Sequence, residues 1–298
     1  YAEMNVETAF IARGCNDKQD SFIVSNGSDA ECAFVAYASG KEVVIVDSES
    51  NDVVQQLMEH KKDVNCLCWV PFLKDGYFSS LVRRQAELIS CSCDGEIVDW
   101  AWNGREWNVK ESIAIPELIE CVHCTVVSDS DCLLFVTTDQ RSLIIYRRSH
   151  CEPWREVLRT KSPNPDIYYT SMLCLPLTRD PEEAKSLPST QLLFLAATDN
   201  RVYLHELSLE TSSLRPVCQL TGFKNWVSSL SLHFCFGEGN AVQFWHVIAA
   251  GQDGYCRVWK VCESSESDAD SESPFAITLE SVIEVSSTIV SSAHPHPP

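Results

Sequence analysis

Apolar and polar positions along this chain return in one phrase. A short run of aliphatic and β-branched residues leads into a tight turn carrying Asp, and a second such run follows, mostly closing on an aromatic ring. The phrase reads Glu87–Trp100 around Asp94, Leu133–Tyr146 around Asp139, Leu193–His205 around Asp199 and Val247–Trp259 around Asp253. A worn first copy, Ala33–Val46, has Gly40 where Asp should stand. Short apolar runs bounded by turn residues predict strands, and helical periodicity is hard to find, so the pattern predicts an all-β chain. Asp94-Gly95 and Asp253-Gly254 are strong hairpin signals, because Gly tolerates positive φ and Asp can bond its own backbone.

The spacing of the copies sets the architecture. Gly40 to Asp94 is 54 residues, Asp94 to Asp139 is 45, Asp139 to Asp199 is 60 and Asp199 to Asp253 is 54. A WD40 unit of about 40–45 residues makes one four-stranded propeller blade. The excess is expected in inserted loops at Leu73–Arg84 and Thr178–Ser189, the second rich in Pro and charge. The expected fold is an incomplete WD40 β-propeller, with five repeats and the start of a sixth. Stacked hairpins of this kind mostly bind partners rather than transform substrates.

One copy carries nearly the whole WD40 set. His60, Ser90, Asp94 and Trp100 can form a buried hydrogen-bond network whose work is to satisfy polar groups inside the blade. Read carelessly, Ser90, His60 and Asp94 look like a hydrolase triad. No nucleophile elbow surrounds the Ser, and the blade accounts for all three residues. Asp139, Asp199 and Asp253 are expected at the other turns, and Trp259 at a strand end. The last copy has Gly222-Phe223 for Gly-His and Ala249 at the place of Ser90. Its network is expected to be absent, leaving plain packing to hold that blade.

Composition narrows the function. The chain has 298 residues and is 45% hydrophobic, enough for a real core. Its formal net charge of -19 disfavours a general nucleic-acid surface. Part of that charge lies in the tract 263–273, expected to be a flexible acidic loop. The basic pairs Lys61-Lys62, Arg83-Arg84 and Arg147-Arg148 read as ordinary solvated surface. The longest apolar stretches are strand-sized, so no membrane span is expected. Fifteen cysteines, many on predicted strands, fit reduced thiols packed as small hydrophobes in a cytosolic or nuclear protein. Cys121-Val-His-Cys124 has ligand-like spacing, with Cys91 and Cys93 upstream, but the second half of a zinc site is missing. Neither metal nor cofactor is expected, and no catalytic residue is identified.

Phrases between the repeats resemble the second subunit of the Elongator complex. They are Val6–Asn16, Ala36–Val46, Leu57–Trp69, Leu220–Leu230 and Phe275–Val282, and together they run collinearly over residues 6–282. Members of that family carry two seven-bladed propellers, so five repeats, with the match ending after Val282, imply a piece of a longer protein or a reading frame that ran past its exon. The resemblance divides the chain into blades over 1–262, the acidic loop, a strand of the next blade at 274–283 and an aberrant tail at 284–298. It implies a non-catalytic scaffold that touches the large propeller subunit and the catalytic subunit of Elongator and supports tRNA wobble-uridine modification. Residence in the cytoplasm, and also in the nucleus, is implied with it. Contact sites are expected on the inserted loops and blade edges, though the sequence names no contacting residue. The rivals are an unrelated WD40 adaptor in ubiquitin ligation or chromatin work and a Cys-based metal-binding protein. Weak tRNA contact through Lys61, Lys62, Arg83 and Arg84 is a further expectation.

Overall fold

The structure, a computed structural model, describes residues 22–24, 34–48, 50–70, 72–74, 77–79, 86–127, 131–149, 152–162, 164–175, 190–236, 242–263 and 275–285. Among these residues there is no helix. The strands build five four-stranded sheets. The first contains β1 (Phe22–Val24), β2 (Phe34–Ser39), β3 (Glu42–Asp47) and β4 (Val53–Leu57). The second begins with β5 (Val64–Trp69). A small hairpin of β6 (Phe72–Lys74) and β7 (Tyr77–Ser79) intervenes before β8 (Glu87–Ser92), β9 (Glu96–Trp102) and β10 (Trp107–Ala114). The third contains β11 (Ile119–Val126), β12 (Asp131–Thr138), β13 (Ser142–Ser149) and β14 (Arg155–Lys161). The fourth contains β15 (Tyr169–Leu175), β16 (Thr190–Ala197), β17 (Val202–Ser208) and β18 (Ser213–Leu220). The fifth contains β19 (Val227–Phe236), β20 (Val242–Gly251), β21 (Tyr255–Glu263) and β22 (Phe275–Glu284).

The recurring phrase is the middle hairpin of each sheet: β2–β3, β8–β9, β12–β13, β16–β17 and β20–β21, all antiparallel. The fourth strand repeats a second signature. Each outermost ladder breaks register once, at Ile45/Val46, Val109/Glu111, Ile145/Tyr146, Leu204/His205 and Val258/Trp259. A bulge at the same place in every sheet increases the local twist and bends the outer strand. The phrase in the sequence omitted this strand, because its alternating polar pattern, as in Arg155–Lys161, carries little apolar signal.

The strand at 274–283, expected to belong to the next blade, is β22. It pairs with β21 from Tyr255↔Glu284 to Glu263↔Phe275 and so completes the fifth sheet. The sequence phrase covers only the two middle strands, and the long acidic tract hides that the next strand returns to the same sheet.

The chain divides into two compact units, residues 1–72 with 78–119, and residues 73–77 with 120–298. The core of the first packs Phe34, Trp100, Trp102 and Trp107, with Phe34 and Trp107 centroids 5.7 Å apart and edge to face. Gln55 joins its sheets. Its amide donates to the Trp107 carbonyl at 3.0 Å and its carbonyl accepts the Trp107 N–H at 2.7 Å. The core of the second unit gathers Phe194, Leu204, Trp245, Val247 and Trp259. A separate cluster there holds Leu133, Phe135, Leu193 and Leu195. Strands β5 and β12 are covered on both faces, as the unbroken burial of Val64–Trp69 and of residues 133–138 shows.

Candidate functional site

The turns of the hairpins hold the residues singled out in the sequence. In the second, third and fifth sheets a backbone N–H closes the turn onto the carbonyl three residues back. The bonds are Gly95 to Ser92 at 3.1 Å, Arg141 to Thr138 at 2.8 Å and Gly254 to Gly251 at 3.2 Å. The closing residue is left-handed each time, with φ 82° at Gly95, 63° at Arg141 and 84° at Gly254. Asp94 and Asp253 therefore precede the left-handed residue directly, as Asp199 precedes Asn200 at φ 68°. Asp139 does not: Gln140 fills that place in the third sheet. The turn is no longer than in the second sheet, so Asp139 simply lies one position early despite its alignment in the sequence.

In the second sheet Ser90 is the hub. Its hydroxyl is 2.6 Å from His60 Nε2 and accepts the Trp100 Nε1–H at 2.8 Å. The Ser90 proton needs an acceptor, which the Nε2 lone pair supplies, so the ring proton of His60 sits on Nδ1. Nδ1 makes no hydrogen bond; the Glu96 carboxylate is 3.7 Å away. Burial lowers the pKa of His60 to about 4, with Asp94 partly opposing, so the ring is neutral. Asp94 stands outside this chain of bonds. It accepts the hydroxyl of its neighbour Ser92, and that bond holds its carboxyl below the ordinary range. The structure thus links His60, Ser90 and Trp100 and leaves Asp94 local. Ser90 is wholly buried, so its hydroxyl is closed to a substrate.

The fifth sheet has a network that the sequence reading denied it. Arg257, four residues after the turn Asp, folds back and donates from Nη2 to Asp253 Oδ2 at 3.0 Å. The same nitrogen donates to the Gly222 carbonyl at 2.7 Å, and the guanidinium lies 4.1 Å over the Phe223 ring. Asp253 also accepts the Lys224 N–H at 2.9 Å and the Tyr255 N–H at 3.2 Å. Burial works to raise the Asp253 pKa, and these donors overcome it, leaving the carboxyl below its ordinary value. Phe223, at the place of His60, serves as the floor for a cation. Trp259, expected at a strand end, lies inside β21, where it is buried and packs on Phe223 at 5.7 Å. The expectation of plain packing is corrected: the missing Ser and His are replaced by an ion pair. The position four after Asp carried the signal, since Tyr203 fills it in the fourth sheet and donates its hydroxyl to Asp199. Burial and that bond push the Tyr203 pKa up to about 12.

The remaining candidates separate. Lys61 and Lys62 are exposed. Arg147 pairs with Asp131, but Arg148 is buried, with its guanidinium 4.4 Å over the Trp154 ring, so that pair is only half surface. Cys66, Cys68, Cys91, Cys121 and Cys124 are buried, and Cys93 is exposed. Burial, reinforced by Cys68, pushes the Cys91 thiol up, and burial lowers the His123 pKa to about 4. Among the described residues no group of three or more His, Cys, Asp or Glu is placed to hold a metal ion. Arg83, Arg84, most of the Leu73–Arg84 insertion, the loop Thr178–Ser189 and nearly all of the acidic tract lie outside the described residues.

Three comparisons with known proteins bear on this geometry. No protein-family model matches the chain. Elongator complex protein 2 of Arabidopsis thaliana is 22% identical over 268 residues, that of Dictyostelium discoideum 25% over 282, and that of Homo sapiens 24% over 272. Each likeness covers 87% of this chain and 30% of the relative, so the chain spans about 30% of the length of the curated relatives it matches. Among solved structures, the crystal structure of the β-propeller domain of Myceliophteria thermophila Cps50 (Swd1) matches with a TM-score of 0.55. That match has 16% identity and covers 88% of this chain and 72% of that one, and it shows the fold to be of the β-propeller kind.

Proposed function

We propose that this chain is a non-catalytic scaffold of an Elongator complex, working through protein–protein contacts in support of tRNA wobble-uridine modification. The observation that carries the reading is the likeness to Elongator complex protein 2 through most of the chain, joined to a β-propeller fold. A propeller offers wide, rigid faces and edge loops for large partner surfaces. The one serine–histidine pair singled out in the sequence is spent on holding a blade, which supports the non-catalytic part. The partners in this reading are the large propeller subunit and the catalytic subunit, and the chain works in the cytoplasm, with a nuclear pool.

Affinity purification of the tagged chain from its own cells tests this. Recovery of the Elongator catalytic subunit is the expected result. Recovery of a ubiquitin ligase or a chromatin complex instead would transfer the chain to another class of WD40 adaptor. Direct tRNA contact through exposed Lys61 and Lys62 is the weaker part of the reading, and it predicts binding that collapses steeply with added salt.

A further inference from the structure

The fifth sheet carries a group of side chains that the scaffold role does not use. Cys235 on β19, His246 on β20 and Glu280 on β22 form a continuous relay. Cys235 Sγ lies 3.4 Å from His246 Nδ1, and His246 Nε2 lies 2.7 Å from Glu280 Oε2. An ionised carboxylate can only accept, so Nε2 carries the ring proton and Nδ1 turns its lone pair to the thiol. The His246 ring is steadied by Phe244, edge to face at 5.0 Å, and by His233, stacked at 6.4 Å. Lys260 Nζ sits 4.1 Å over the Phe244 ring.

The group is open to solvent. The His246 side chain is 22% exposed and that of Glu280 40%, and Cys235 is half-buried. Burial first and the Glu280 carboxylate second hold the thiol above its ordinary value, with Lys260 opposing. At rest the site is therefore a thiol beside an imidazole. Its sulfur becomes a strong nucleophile only by passing its proton to His246 as it attacks. Glu280 favours that transfer, because its charge stabilises the imidazolium that results.

We propose that Cys235 is a thiol–disulfide exchange site that forms a mixed disulfide with a low-molecular-weight disulfide. Cys235 Sγ attacks one sulfur of the reagent while its proton moves to His246 Nδ1. One S–S bond forms, the reagent's S–S bond breaks, and the departing thiolate takes the proton from the imidazolium. One thiol and one disulfide enter and one of each leaves, so no other oxidant is needed. Displacement at sulfur develops no oxyanion, so a nucleophile and a proton carrier suffice.

The test uses the full chain with oxidised glutathione at neutral pH, following each cysteine by peptide mass mapping over time. Cys235 is expected to react about tenfold faster than the exposed Cys93 and Cys218, as proton transfer assists its attack. His246→Gln is expected to remove that advantage while Cys93 and Cys218 keep their rates. Glu280→Gln changes an exposed side chain and should give a smaller loss at Cys235. The proposal is overturned if Cys235 reacts no faster than Cys93 and Cys218. It is equally overturned if both variants leave the Cys235 rate unchanged.

Discussion

Asp94-Gly95 and Asp253-Gly254 are the same dipeptide in the same turn, yet the two sheets secure it by different chemistry. In the second sheet the residue before the turn is Ser92, whose hydroxyl captures Asp94. In the fifth sheet Gly251 stands at that place. A Cβ there would meet Asp253 Oδ1 at 2.6 Å and the Phe223 ring at 2.7 Å. The missing side chain lets Phe223 and Asp253 close over the backbone, and Arg257 fills the space between them. The second sheet instead keeps its polar bonds among neutral groups, His60, Ser90 and Trp100. One turn thus has two solutions, and a single small residue selects between them.

The contrast predicts unequal responses to mutation. Arg257→Ala should cost about 3–5 kcal/mol, because it strands the Asp253 carboxylate in a buried site. Chemical denaturation of the variant checks this, and the paired change Asp253→Asn with Arg257→Leu should recover much of the loss. Acid should act on the second sheet before the fifth. The folded form of His60 protonates only near pH 4, whereas the unfolded ring does so near 6.5. Between these values the unfolded chain binds the extra proton, so stability falls as pH falls through that window, by about 3 kcal/mol in full for this one ring. His123 adds to the same trend. Urea melts at pH 7 and pH 5 should show a weaker dependence in His60→Gln. The lowered carboxyl of Asp253 confines the loss of its ion pair to more acidic solution.

Smaller effects sharpen the comparison further. Ser90→Ala leaves the Trp100 N–H without its buried acceptor and should cost about 1–3 kcal/mol in thermal or chemical melts. Gly251→Ala forces Phe223 and Asp253 apart, with an expected cost of about 1–3 kcal/mol, and should disturb the fluorescence of Trp259 packed on that ring. Asp94→Ala removes only a local turn bond, so the expected change is below about 1 kcal/mol. A large loss there would mean that Asp94 anchors the second sheet as Asp253 anchors the fifth.

Much of this was visible along the chain. The alternation of apolar runs and turns locates all five middle hairpins, and the residue types at His60, Ser90 and Trp100 point to a hydrogen-bonded set inside one sheet. The role of Arg257 was not legible, because a basic residue on a strand reads as solvated until a carboxylate and an aromatic face are known to meet it. Arg148 is equally illegible, since its stacking on Trp154 in a buried place cannot be read from the basic pair. Asp139 misled for a different reason. An Asp in a turn looks equivalent to any other, while register depends on which residue takes the left-handed conformation, and here that is Arg141.

The residues by themselves determined a repeated hairpin, its strand lengths and the small set of polar side chains able to live inside it, because periodicity and turn chemistry are local properties. Only the tertiary structure decided which of those side chains meet. The pairing of Arg257 with Asp253, the isolation of Asp94 and the alignment of Cys235, His246 and Glu280 depend on strands distant in sequence being laid side by side, and on how much room each neighbour leaves.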